Sequence, residues 1–353
     1  MRAYGNSCEG MFMKFLLLAA QSLWLLCCAV PAFSAVSAWV AEWDMKNGLA
    51  EVRQGNFSNI ILFAAYFTPE GKPFLSPSLQ RAVNGDALPY LEKGQGLYLS
   101  VVNDIVRAPG QSVMKDPGLV KKLMHSEQSR KQHRQDLLDL LAGGPFTGLE
   151  IDYEKVDMED WPILLNFAQE LHGILAAQGK KLRFLLEPKE RYLASSLPSG
   201  PEYVIMGYNL YGGHSGPGPK ADEAFLRKLA KWTDHISQKP GIALATGGFA
   251  WGLGKIINLD EGTATAWAKS AKTKIRRDEK SGGLYFSAAD NIPQSPVPAR
   301  DANGGTYEVW YADGATLAFW ANIARKLGFG EISLWRLGGN TGQSLMKMAE
   351  TLP

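Results

Sequence analysis

Short apolar runs of strand length recur along this chain between stretches of helical periodicity. They are Trp39–Trp43, Ile60–Phe67, Gly96–Asn103, Phe146–Glu154, Leu182–Glu187, Tyr203–Asn209, Ile242–Thr246 and Glu331–Trp335. Near-continuous aliphatic and β-branched character is what strands buried on both faces show. Between them, Pro117–Leu141, Trp161–Gln178, Ala221–Ile236 and Thr316–Leu327 repeat apolar residues at helical spacing and stop at or near glycines such as Gly143, Gly179 and Gly328. Strands alternating with helices predict a parallel sheet, and eight of them predict closure into a (β/α)8 barrel of the α/β class. One segment breaks the rhythm. From about Ile256 to Asp313 a helix-like stretch (Glu261–Lys272), strand-like pieces and a Pro/Asn/Gly-rich turn region (Asn291–Gly305) exceed one connection, which predicts a small α+β inset between strands seven and eight.

Before Val36 the pattern changes to that of an export signal. Lys14 precedes two short apolar stretches, and Pro31–Ala35 ends in small residues, so residues 1–35 are expected to be a signal peptide and 36–353 the barrel. Export to the periplasm, cell envelope or medium follows from that reading, with membrane contact only if the leader is retained. All three cysteines (Cys8, Cys27, Cys28) fall in the leader, so the mature chain has neither a disulfide nor a thiolate metal site. A formal net charge of +2, with no basic run interleaved with aromatics, argues against a nucleic-acid partner.

The candidate chemistry sits on the fourth run. Side chains alternate on a strand, so Glu150, Asp152 and Glu154 share one side while Leu149, Ile151 and Tyr153 share the other. The aliphatic set suits outer helices, which turns the acids toward the barrel interior or its mouth. Two charges about 5 Å apart at an effective dielectric near 20 repel by roughly 3 kcal/mol. Such neighbours drive their pKa values apart and leave one carboxyl protonated and able to donate. The alternatives are a solvated acidic strand and a cation site. No His-x-His or Asp-rich loop accompanies the acids, so no metal or other cofactor is expected.

Here the sequence resembles glycoside hydrolase family 18, the chitinase-like barrels. Their strand-four signature, Asp-Gly-x-Asp-x-Asp-x-Glu, corresponds to Thr147-Gly-Leu-Glu-Ile-Asp-Tyr-Glu154. Met206-Gly-Tyr-Asn209 is similar to the family's Met-x-Tyr-Asp, and Gly330–Trp335 to its eighth strand. Tyr307–Asp313 and Leu186–Lys189 resemble segments of a bacterial branch that includes spore-cortex-lytic enzymes. The resemblance implies a retaining hydrolase of β-1,4-linked N-acetylglucosamine glycans, peptidoglycan ahead of chitin, in which the substrate's acetamido group is the nucleophile. It implies Glu154 as general acid/base, Asp152 as partner of the acetamido N–H, and Tyr208 as donor to its oxygen. Trp335 would lie beneath the reacting sugar. Glu150 and Asn209 are expected in the binding site, and Trp43, Tyr66, Tyr211 and Trp251 as aromatic faces for sugar rings. A monomer acting on an N-acetylated poly- or oligosaccharide is the expected state. The rival reading is a glycan-binding pseudoenzyme on the same fold.

The histidines His125, His133, His172 and His235 fall in helical stretches and are expected at the surface, with His214 in a loop. Three positions depart from the family pattern: Thr147, Glu150 and Asn209. Asn209 removes a negative charge from the pocket, which lowers the pKa of Glu154 relative to an Asp-bearing relative. Asn209→Asp should therefore move the pH–rate optimum upward; a shift to lower pH, or none, would contradict this.

Overall fold

The computed structural model describes residues 36–108, 110–289 and 306–351, so the leader, with its cysteines, and the Asn291–Gly305 turn region lie outside the described residues. All eight apolar runs form strands: β1 (Val36–Ala41), β2 (Asn59–Phe67), β3 (Gly96–Ala108), β4 (Gly148–Asp152), β5 (Lys181–Leu186), β6 (Glu202–Met206), β7 (Gly241–Ala245) and β8 (Ile332–Leu337). Each pairs in parallel with the next, and β8 pairs with β1, which closes the barrel. The structure is thus a (β/α)8 barrel.

The alternation along β4 sorts as the sequence predicts. Leu149, Ile151 and Tyr153 join the core between strands and helices, while the acids face inward and are buried. Trp39, Ile61, Tyr98, Leu185, Val204 and Met206 fill the barrel interior. Nearer the strand starts lies Arg183 of β5, which is fully buried. A guanidinium cannot be dehydrated without partners, and four groups supply them. Glu150 Oε2 is 3.1 Å from Nε, Glu331 Oε1 is 2.6 Å from one terminal nitrogen, and the hydroxyls of Ser37 and Ser333 accept at 3.1 and 3.2 Å.

Two predicted elements differ in detail. The stretch Pro117–Leu141 is two helices, Pro117–Met124 and Glu127–Ala142. Ser126 between them is extended and caps the second, its Oγ accepting from the Ser129 N–H at 3.1 Å while the Ser129 Oγ accepts from the Ser126 N–H at 2.9 Å. Local side-chain bonding of this kind competes with a continuous helix. The antiparallel sheet of the inset starts earlier than predicted, at Gly247. It runs Lys255–Leu259, Gly247–Gly252, Thr306–Ala312, Leu284–Ala289, Arg276–Arg277 in spatial order. Its first hairpin turns at Leu253 and Gly254, both at positive φ (52° and 69°), as a tight two-residue turn requires. The helix Glu261–Ser270 packs on this sheet through Trp267, which meets Phe286 and Tyr307 edge-on.

Removing one member of a buried ion pair strands its partners. Arg183→Leu should lower the unfolding free energy by about 3–5 kcal/mol in urea titration; a loss below about 1 kcal/mol would show that Glu150 and Glu331 do not depend on it.

Candidate active site

The carboxyl ends of the barrel strands open into a cleft of about 520 Å3. Asp152 and Glu154 line it from the end of β4, Tyr208 and Asn209 from just after β6, and Trp335 from β8; Trp43 and Tyr66 complete the same wall. Seven of the ten sequence-predicted site residues therefore share one cavity. Trp335 lies beneath Tyr208, the rings nearly parallel at 14° with centroids 6.4 Å apart, and it packs against Phe63 at 4.8 Å and Trp39 at 6.0 Å. Trp43 is 58% exposed and stands 6.4 Å from Trp335, an open aromatic face of the kind that sugar rings stack on. A second, broader groove of about 900 Å3 shares Glu42 and Trp43 with the cleft.

Three predicted contacts are placed elsewhere. Glu150 is wholly buried and does not line the cleft; Trp39 Nε1 donates to its Oε1 at 2.7 Å and Arg183 binds its other oxygen. It supports the barrel base and cannot reach a substrate. Trp251 belongs to the inset hairpin rather than to a barrel strand end. It is buried, packs on Phe249 at 5.6 Å, and donates its Nε1 proton to the Ser215 carbonyl at 3.0 Å, pinning the loop after β6. Tyr211 lies in that loop with its ring against Gly218 and is not among the residues that line the cleft. Sequence position alone puts both aromatics at the rim, but it does not report which way a loop folds. His133, expected at the surface, is buried, and its Nε2 lies 2.9 Å from the Tyr153 hydroxyl.

The electrostatics follow from burial. Asp152 is 6% exposed, and its Oδ1 has no hydrogen-bond partner among the described residues. Burial, reinforced by Glu154 and Glu150, pushes its pKa well above the usual carboxylate range. Glu154 is also raised, by burial first; Lys115 opposes the rise, and Glu187 and Asp104 add to it. Burial and the three acids of β4 raise the Tyr208 hydroxyl well above its ordinary value, so it remains a proton donor.

Sequence reasoning missed the groups that hold Glu154. Lys115, which follows the short strand Gln111–Val113 that pairs antiparallel with β3, forms an ion pair with Glu154 Oε1. Asn103 of β3, fully buried, accepts from the Glu154 N–H at 2.9 Å and donates to the Glu154 carbonyl at 2.9 Å. Glu187 accepts from the Lys155 N–H at 2.8 Å, fixing the turn that follows the acid. Thr147, in place of the family's first Asp, laces the start of β4 to β3: its Oγ1 accepts from the Leu97 N–H at 2.9 Å.

No family model matches the chain. Among curated proteins it is 24% identical over 228 residues to YdhD of Bacillus subtilis, named as a sporulation-specific glycosylase. That match covers 62% of this chain and 53% of YdhD, so the chain spans about half the relative's length. The Bacillus cereus spore cortex-lytic enzyme SleL superposes with a TM-score of 0.75 at 17% identity, over 91% of this chain and 74% of SleL. The resemblance to glycoside hydrolase family 18 stands. A chitinase from Chromobacterium violaceum shares the fold just as closely, with a TM-score of 0.74 at 18% identity over 90% of this chain and 99% of that enzyme.

A carboxyl whose pKa is raised by folding stabilises the fold only while it is protonated, so its contribution is lost as pH rises through the folded value. Asp152→Asn, which is neutral throughout, should therefore raise the melting temperature by several degrees at pH 7 and leave it unchanged near pH 3. An equal gain at both would show that Asp152 ionises freely in the folded protein.

Proposed function

We propose that this protein is a retaining glycoside hydrolase of β-1,4-linked N-acetylglucosamine glycans, with peptidoglycan favoured over chitin. The observation that carries the reading is the convergence of Glu154, Asp152 and Tyr208 over Trp335 in one cleft. In the first half-reaction the 2-acetamido oxygen attacks C1, the glycosidic C1–O bond breaks, and the leaving oxygen takes the Glu154 proton. An oxazolinium ion results, with Glu154 now ionised. In the second, water attacks C1 and gives a proton to Glu154, and the ring opens to the sugar with retained configuration.

The site supplies what each step needs. Burial keeps Glu154 competent as an acid. The unpartnered Asp152 Oδ1 is available to accept the acetamido N–H, which turns the acetamido oxygen toward C1. Tyr208 donates to that oxygen as its charge develops, and Trp335 offers an apolar plane to the sugar's underside. Peptidoglycan is placed first because relatives are named for spore-cortex lysis and because the leader reads as an export signal. On that leader we place the protein outside the cytoplasm.

Glu154→Gln should cut turnover by at least about 10²-fold while retaining binding to chitin oligomers, measured as released reducing ends from purified peptidoglycan and chitin. Equal release by both proteins would overturn the assignment. Tight binding without turnover by the wild type would instead favour a lectin.

A further inference from the structure

We infer that Lys115 is a positioning residue for the general acid, an ammonium latch on the Glu154 carboxyl. The inference rests on the glycosidase reading for its kinetic consequence but on geometry for the latch itself. Lys115 is the sole cation among the described residues that line the cleft, and its Nζ is paired with Glu154 Oε1. Its backbone is held at φ 56°, in the left-handed region that a side-chain-bearing residue seldom occupies. Two bonds hold that conformation. The Lys115 N–H donates to Asp104 Oδ1 at 2.7 Å, and the next N–H, of Asp116, donates to the Asn103 carbonyl at 2.9 Å. Local strain of this kind persists where the surroundings over-determine it, and here it delivers the ammonium to one oxygen.

The neighbours of Glu154 make that delivery consequential. Asp104 of β3, Asp152 of β4 and Glu187 after β5 are acidic, Tyr208 after β6 is a neutral donor, and Lys189 is engaged by Glu187 at 2.5 Å. Lys115 is the group that favours the ionised acid. Before the first half-reaction it therefore lowers the share of Glu154 that holds the proton to be donated. In the second it stabilises the carboxylate that must accept a proton from water. Its side chain is 41% exposed, so it holds the acid from the solvent side of the cleft. The latch thus sets one proton affinity that both half-reactions use.

The test compares wild type, Lys115→Met and Lys115→Arg, with Lys115→Gln in reserve should the Met variant fold poorly. Carboxyl 13C NMR titration of the substrate-free proteins, with Glu154 assigned through Glu154→Gln, should show its midpoint about one pH unit higher in Lys115→Met and restored in Lys115→Arg. The basic limb of kcat/KM on a chromogenic chitobioside should move upward with it, giving severalfold greater activity one unit above the wild-type limb. A Glu154 midpoint unchanged or lowered in Lys115→Met would overturn the latch. Should wild type cleave no glycan, the glycosidase reading falls while the NMR midpoint still decides whether Lys115 governs Glu154.

Discussion

Moving a carboxylate out of water costs more than an ordinary protein contact returns, and β4 carries three carboxyl groups into the barrel. The structure meets that cost differently at each depth. Glu150, deepest, is given a full-strength counter-ion in Arg183 and an indole donor in Trp39. Asp152, one step up, makes no ion pair among the described residues and keeps its proton more readily instead. Glu154, at the mouth, is paired with Lys115, whose side chain is partly exposed. One segment thereby presents a carboxyl with a buried counter-ion, one held toward its protonated form, and one paired from the cleft wall. The division of labour proposed for catalysis follows from this gradient in solvation.

The same constraint shapes the scaffold below the cleft. Satisfying Arg183 draws together β1 through Ser37, β4 through Glu150, and β8 with its preceding residue through Ser333 and Glu331. Those strands also carry Trp39 and Trp335, whose rings meet 6.0 Å apart directly above the polar layer. A buried charge network at the base and an aromatic layer beneath the cleft are thus consecutive tiers of one barrel. At the far end, Glu51 fixes the turn after β8 by accepting from the N–H groups of Gly338 and Asn340 at 2.7 and 3.0 Å. Trp335 is held between the two.

Periodicity made the barrel legible, because strands buried on both faces have to be apolar almost without interruption. The central acids were legible for the opposite reason, as charges where that rule forbids them. The same logic could have found Arg183 and Asn103, each a polar residue inside an apolar run, yet neither announces its partner: Glu331 lies 148 residues from Arg183, and Glu154 lies 51 from Asn103. Lys115 carried no signal, since a lysine near a predicted helix start looks like any solvated one. Trp251 and Tyr211 were misplaced because aromatic residues near strand ends suit a sugar platform and a packed loop equally well. Only the fold of the loop after β6 separates the two.

Asn103 has a consequence beyond the position of Glu154. Its side chain bonds both the N–H and the carbonyl of Glu154, and donates to the carbonyl of Asp116, the residue after Lys115. Acid and ammonium are thus mounted on one amide. Positioning of the general acid and of the segment that carries its counter-ion therefore rests on a single buried side chain, so the two are set by one and the same anchor.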